Sequence, residues 1–310
     1  MPTPVTIGSG ASHSVRYVKE TTAGTTPTTP KLKEILHTGC SLELSRDTLT
    51  SNSLRSDRQI PFIRTGTDKV SGGIDFELCG GMYDDFIEAA LAGTWAANVL
   101  KAGTTKRSFT IERAFTDIGQ YKINRGCYVN QMTLSVKPSA VVTGSFDIVG
   151  LGTTLAATPL DSAYAVAGDC DPFDSFTGSL FIDDTDVAIV TGIDLTLANT
   201  VEAKFPIFNR QAVAVGYGKS ALTGTLSAFF TDATFVSKFI NDAKVKIAFT
   251  LTRGDYSYAF LIPCATLTNA GTSVQGEGEI SLDLPWSASL DATLGTNIQI
   301  TRTVPTVPGA

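Results

Sequence analysis

The stretch Thr38-Gly39-Cys40-Ser41-Leu42-Glu43-Leu44 returns as Thr191-Gly192-Ile193-Asp194-Leu195-Thr196-Leu197, 153 residues later. Both copies alternate apolar and polar side chains with period two, the signature of a half-buried strand. The same pattern continues outward. Ile74, Phe76 and Leu78 after Gly72 match Leu226, Ala228 and Phe230 after Gly224, at an offset of 152. Phe109 to Arg113 matches Phe249 to Arg253, Cys127 matches Cys264, and Gly144 to Ile148 matches Gly278 to Leu282, at offsets of 140, 137 and 134. A shrinking offset with preserved order is what shortened loops between equivalent strands would leave, because loops tolerate length change better than strands. The expectation is a duplicated, mainly β chain.

One stretch in each copy breaks the period. Tyr83, Phe86, Ile87, Ala90 and Leu91 fall on one face of a helix, with Asp84 and Asp85 in its first turn and Gly93 just past its end. Val236, Phe239, Ile240 and Ala243 repeat the stripe, with Thr231 or Asp232 to cap it. The fold class expected is therefore two tandem β-sandwich or barrel domains, each with one short flanking α-helix.

Residues 1–36 are rich in Thr, Pro and Gly and carry only one alternating stretch, Ser14 to Val18, so they read as an extended N-terminal arm. The first domain is expected over 37–155, a linker over 156–175, the second domain over 176–301 and a flexible tail over 302–310. Each domain holds one long loop, 47–70 and 199–220. Loops of that length without structure of their own are usually functional or disordered, and the first is dense in charge.

Composition narrows the function. Charged residues are only 17% of the 310, and the net charge of -6 is unevenly spread: residues 1–155 hold 16 basic against 14 acidic side chains, residues 156–310 hold 8 against 16. An acidic second half does not suit phosphate-gripping nucleic-acid binding. Five cysteines without CxxC spacing read as reduced thiols of a cytosolic chain, and no apolar run approaches a membrane span or a signal sequence.

Chemical motifs fail on inspection. Gly216-Tyr217-Gly218-Lys219-Ser220 ends like a P-loop, but Val213 stands where the first glycine belongs. Gly8-Ser9-Gly10 lacks the third glycine of a dinucleotide fingerprint. His13 and His37 are the only histidines, too few for a triad with a clear partner, and Cys40 with His37 is half of a metal site at most. Asp183-Asp184-Thr185-Asp186 reads as a hairpin turn rather than a calcium loop. No catalytic residue, cofactor or metal is expected. Chance carboxylate pairs keep a β-sandwich hydrolase as a remote option.

Tyr17 to Pro27, then Leu49 to Gln59 with Ser51, Arg55, Asp57 and Arg58, resemble the N-terminal region of tail-tube proteins from long, non-contractile, siphovirus-type phage tails. Ser175 to Leu180 and Leu222 to Leu226 resemble the same family, so the resemblance spans nearly the whole chain. It implies stacked rings forming a tube through which double-stranded DNA passes at ejection without tight binding. It implies ring-to-ring contacts made by the arm and the long loops, and a location in the virion tail after assembly in the host cytoplasm. Further implied partners are other tail proteins at the tube ends and a tape-measure protein in the lumen, with no membrane insertion. With two tube domains per chain, the implied ring is a trimer with pseudo-sixfold symmetry. The contact residues expected on the loops are Arg46, Arg55, Asp57, Arg58, Arg64, Lys69, Phe208 and Arg210. The alternative is a two-domain carbohydrate-binding or adhesive module using Trp95 and Trp286, although both tryptophans fit core or interface positions better.

Overall fold

The computed structural model describes residues 7–187, 189–273, 277 and 279–305. Among the described residues the chain is mainly β, with two short α-helices and sheets that do not close into a barrel. Strands β1 (His13–Lys19), β2 (Lys33–Ile35), β3 (Gly39–Cys40), β4 (Glu43–Thr50) and β5 (Ile63–Glu77) lead to helix α1 (Asp84–Ala90). Then follow β6 (Val99–Lys101), β7 (Phe109–Phe115), β8 (Gln120–Val136), β9 (Thr143–Gly150) and β10 (Gly152–Ala156). The second half runs through β11 (Gly178–Ile182), β12 (Thr185–Asp186), β13 (Val190–Ala198), β14 (Val201–Lys204), β15 (Ala214–Tyr217) and β16 (Ala221–Phe229) to helix α2 (Thr234–Ile240). It closes with β17 (Lys244–Arg253), β18 (Tyr256–Leu267), β19 (Gly271–Ser273), β20 (Ser281–Ala288) and β21 (Gln299–Thr303).

A long central sheet crosses both halves in the order β4-β5-β9-β8-β13-β16-β20-β19, antiparallel throughout. Two smaller ladders branch from it because β8 and β18 are long enough to serve two sheets. The first half of β8 lies between β7 and β10, with β1 and β2 beyond β7. The first half of β18 lies between β17 and β21, with β11 beyond β17. Helix α1 fills the wedge between layers. Phe86 stacks on Phe109 at 4.8 Å and meets Phe146 of the central sheet at 5.3 Å, so one aromatic side chain ties helix, branch and sheet.

The order of pairings recurs. β1-β7-β8-β9-β5-β3/β4 in the first half is matched by β11-β17-β18-β20-β16-β13 in the second. Register corrects the sequence matches. A bulge interrupts β7–β8 between Phe109 and Ile111, and β17–β18 between Val245 and Ile247, so Phe109 corresponds to Val245 rather than Phe249. Phe146 stands opposite Ile74 as Leu284 stands opposite Leu226, so Phe146 corresponds to Leu284 rather than Ile280. Alternating strands look alike when slid by an even number of residues, and only the bulges pin them. The matched Gly278 lies outside the described residues.

Six further expectations are corrected. The supposed arm is part of the core: β1 is paired along its length, and Val15, Tyr17, Leu32 and Ile35 are buried. The supposed linker delivers Phe173, fully buried, whose N–H donates to Leu78 O at 2.9 Å and whose carbonyl accepts from Val142 N–H at 2.8 Å. Two of the five cysteines, Cys79 and Cys170, are joined in a disulfide across 91 residues, leaving Cys40, Cys127 and Cys264 free. The long loops are hairpins: β4 and β5 pair from Glu43–Ser71 out to Thr50–Ile63, and β14 pairs with β15. Both faces of these hairpins meet solvent over much of their length, so no apolar alternation marks them. Helix α2 begins at Thr234, two residues before the expected stripe, and buries only Phe235. Of the expected C-terminal tail, Arg302 and Thr303 belong to β21 and 306–310 lie outside the described residues.

Candidate assembly surfaces and polar sheet face

The side of the central sheet turned from the core is almost uniformly polar. Cross-strand register builds a row from Asp75 through Ser145, Thr133, Thr196 and Thr223 to Ser287. Beside it runs Glu77, Thr143, Ser135, Asp194, Thr225 and Pro285. Neighbours bind across strands: Ser135 donates to Asp194 at 2.6 Å, Ser227 to Asp283 at 2.7 Å, and Asn130 to Asp147 at 2.8 Å. These two rows carry three carboxylates and no lysine or arginine. A polyanion passing over these two rows finds hydroxyls and negative charge but no cation to release its counterions.

The hairpins project the charged residues singled out in the sequence. Arg46 pairs with Asp68 at 2.6 Å, and the guanidinium's hydrogen bond holds the Asp68 carboxyl below the usual carboxylate range. Lys69 pairs with Asp47 at 2.6 Å. Arg55 pairs with Asp57 at 2.7 Å near the tip, where Arg58 adopts a positive φ of 60°. Arg210 donates to Thr65 O at 2.6 Å while Asp68 N–H donates to Arg210 O at 2.9 Å, so the second hairpin's tip leans on the first hairpin's stem. The structure thus gathers Arg46, Arg210 and, in the same stem, Arg64 and Lys69. Arg55, Asp57 and Arg58 stand apart at the tip, and Phe208 is fully exposed.

Sequence reasoning missed the apolar partners of these charges. Leu49, Leu54, Ile60, Phe62 and Ile63 are exposed on the first hairpin, and Ile207 and Val213 flank Phe208 on the second. The signal was present, since five large apolar residues within 49–63 of a charged loop is more than a solvated loop needs.

Other candidates resolve as structure. Trp286 is buried with 2% exposure, and half-buried Trp95 lies under the Arg302 guanidinium at 4.2 Å while donating its indole N–H to Asp84 O, so neither offers a free stacking face. Asp183 and Asp184, both at positive φ, turn the β11–β12 hairpin and meet Lys238 and Lys246. Lys219 and Ser220 lie in the short turn between β15 and β16. His13 Nδ1 lies 2.7 Å from His37 Nε2, and Arg113 donates to His13 Nε2 at 3.2 Å, in a cleft beside β3. Burial, then the Arg113 charge, pushes His13 down to about 4. Among the described residues, no cluster of three or more His, Cys, Asp or Glu is placed to hold a metal ion, and no helix is long and apolar enough to cross a membrane.

The described residues thus present an antiparallel sheet with an uncharged-to-acidic face and two projecting hairpins tipped with apolar residues. The family model for phage tail tube protein matches residues 10–288. The chain belongs to the phage tail tube protein family. The match covers β1 through β20, so the segment expected to be a free arm lies almost wholly inside the family's domain from residue 10 onward. Comparison with curated proteins gives no match. Membership of this family places the protein in the virion tail as a tube component.

Proposed function

We propose that three copies of this chain close into a ring of six quasi-equivalent units, and that rings stack into a tail tube conducting double-stranded DNA at ejection. The first unit runs from β1 to β10 and the second from β11 to β21. The observation that carries this is the central sheet: one continuous ladder through both units, with a polar face free of Lys and Arg across its two central rows. Turned inward, that face would let a polyanion slide, because a wall that binds phosphate would retard every base pair it met. The recurrent pairing order supports two units per chain, since a head-to-tail interface repeated with the right rotation closes a ring.

Ring stacking falls to the hairpins. Leu54, Ile60, Phe62 and Phe208 supply exposed apolar area, and Arg46, Arg55, Asp57, Arg58, Arg64, Lys69 and Arg210 supply the polar rim that fixes orientation. The protein acts as a structural component rather than an enzyme, assembles in the host cytoplasm, and meets a tape-measure protein and tube-end proteins in the tail.

Electron microscopy with native mass measurement on purified protein tests this. Three-chain rings with a channel wide enough for a duplex are expected. A ring of six chains, or a strict monomer at high concentration, would overturn it.

A further inference from the structure

The strand pairing that joins the two halves inside one chain has an unfilled counterpart. Val136 to Gln131 of β8 pair with Ile193 to Ala198 of β13, with Leu134 opposite Leu195 and Ser135 opposite Asp194. In the second half the counterpart of this stretch of β8 is β19. Thr133, Leu134 and Ser135 face Ser145, Gly144 and Thr143 of β9, and Gly271, Thr272 and Ser273 face Asp283, Leu282 and Ser281 of β20 in the same way. Gly144 lies opposite Phe76 and Leu282 opposite Ala228, which fixes the correspondence through β5 and β16. Among the described residues β19 pairs with β20 alone, so its outer edge is bare.

The counterpart of β13 is the β3–β4 stretch. Cys40 opposite Ile74 matches Ile193 opposite Leu226, and Leu44 opposite Val70 matches Leu197 opposite Leu222. Among the described residues its outer edge has no strand beside it. A cleft lies there, lined by His37, Gly39, Cys40, Arg113 and Phe115. The cleft at the internal joint is lined at the corresponding positions by Val190, Gly192, Ile193, Phe249 and Leu251, and additionally by Val136 of the incoming strand. One joint is complete and the other, among the described residues, lacks its strand.

We infer that the bare β19 edge of one copy pairs antiparallel with the bare edge of β3–β4 in a second copy, in the register Thr272 opposite Leu42, Gly271 opposite Glu43 and Asn269 opposite Ser45. This rests on the ring assembly proposed above and specifies the contact that closes it. The occupant is a second copy because the chain already contains the complementary strand, paired in that register with its own counterpart. Exposed edges of this kind template further pairing unless something blunts them.

Arg113 supplies the blunting. Its guanidinium donates to Leu42 O at 2.6 Å and to Cys40 O at 3.0 Å, capping the two carbonyls that the incoming strand would meet. Glu43 holds it there at 2.6 Å. The bulge register puts Phe249 at the corresponding position of the completed joint, where an apolar residue suffices because the edge is already covered. Arg113 therefore guards the edge in the free chain and yields it when the ring closes.

The second half also leaves uncovered what the first half covers. Leu78 and Val142 are sealed by Phe173, whereas their register counterparts Phe230 and Ile280 are exposed. The joint between copies therefore has apolar surface to bury as well as an edge to pair.

The test is oxidative crosslinking of a full-length chain carrying Asn269→Cys and Ser45→Cys, in a background with Cys40→Ser and Cys264→Ser. Directly opposed Cβ atoms are about 4.5–5.5 Å apart, the closest of them at the roughly 4.5 Å limit of disulfide reach, whereas the diagonal neighbour at about 7–8 Å is well beyond it. A ladder ending at a covalent three-chain product is expected, about tenfold above a control pairing Asn269→Cys with Asp47→Cys. Rings in micrographs without crosslinking from the Ser45 pair, or with equal crosslinking from the control, would overturn the register and leave the ring standing. A protein monomeric throughout would overturn both. Arg113→Leu and Arg113→Lys should lower the concentration at which rings form, and an unchanged threshold in every folded variant would remove the guarding role.

Discussion

The side-chain amide of Asn199 donates to the carbonyl of Ala90 at 2.7 Å, joining the end of β13 to the end of α1 across 109 residues. Its second contact is Val129 O at 3.4 Å, and its own N–H donates to Asn130 O at 2.8 Å. Asn199 is buried, so these carbonyls have no water to turn to. Asn199→Ala should cost about 1–3 kcal/mol, the penalty of stranding a buried acceptor. A lower urea midpoint at unchanged slope would show it, and an unchanged midpoint would mean that the amide carries no net stability.

Arg16 and Glu112 form a fully enclosed ion pair at 3.1 Å, with Tyr164 stacked on the guanidinium at 3.6 Å and Leu160 N–H donating to the carboxylate at 2.7 Å. Burial raises the Glu112 carboxyl above its ordinary range despite its partner. Removing the cation alone, with Arg16→Met, should destabilise by about 3–5 kcal/mol because a charge is left unpaired. Arg16→Met with Glu112→Leu should recover much of that loss in thermal unfolding. A double variant no better than the single would contradict the pairing.

His13 is half-buried and faces His37, Arg113, Glu43 and Lys122, and its pKa falls from 6.5 to about 4. The unfolded chain therefore takes up its proton first. Stability from a neutral His13 is present above pH 6.5 and lost as pH falls from there toward 4. His13→Gln should flatten that part of the stability profile by roughly 1 kcal/mol after allowance for solvent screening. Parallel profiles for both proteins between those limits would refute it.

The disulfide between Cys79 and Cys170 closes a segment of 91 residues in sequence separation. Chain-entropy reasoning assigns such a crosslink on the order of 4 kcal/mol. Cys170→Ser and added reductant should each lower the unfolding free energy by about that amount, read as equal shifts of the denaturant midpoint. A reductant effect that persists in the serine variant would implicate another thiol.

Phe208 and Leu54 are exposed apolar residues at hairpin tips. Phe208→Ser and Leu54→Ser should leave the unfolding free energy within about 0.5 kcal/mol of the parent while shortening stacked assemblies in light scattering. A loss of stability instead would mean the tips pack within the chain.

Sequence periodicity disclosed the central strands and the first helix because Ile74, Phe76, Phe146 and Phe86 each face a dry core on one side only. It misjudged the segments before and between the halves for a physical reason. Val15 and Tyr17 sit in one short alternating stretch, with Leu32 and Ile35 scattered beyond Thr- and Pro-rich sequence, and Phe173 is a single anchor; burial of so few residues by distant strands leaves little local pattern. The disulfide was hidden likewise, since Cys79 and Cys170 meet only when Phe173 docks between Leu78 and Val142. At the candidate assembly surfaces, the charges of the hairpins were visible in the sequence. The polar face was not, because Ser145, Thr133 and Thr196 become neighbours only through register.

The β8–β13 pairing also has a cost in time. Ribosomes deliver β8 roughly 60 residues ahead of β13, which at about 5–20 residues per second leaves the Gln131–Val136 edge bare for several seconds in every nascent chain. During synthesis on crowded polysomes, neighbouring nascent chains would present one another with the same unpaired backbone. The interval before Val190 emerges is thus one in which the strand that later joins the two halves stands open to pairing with the wrong chain.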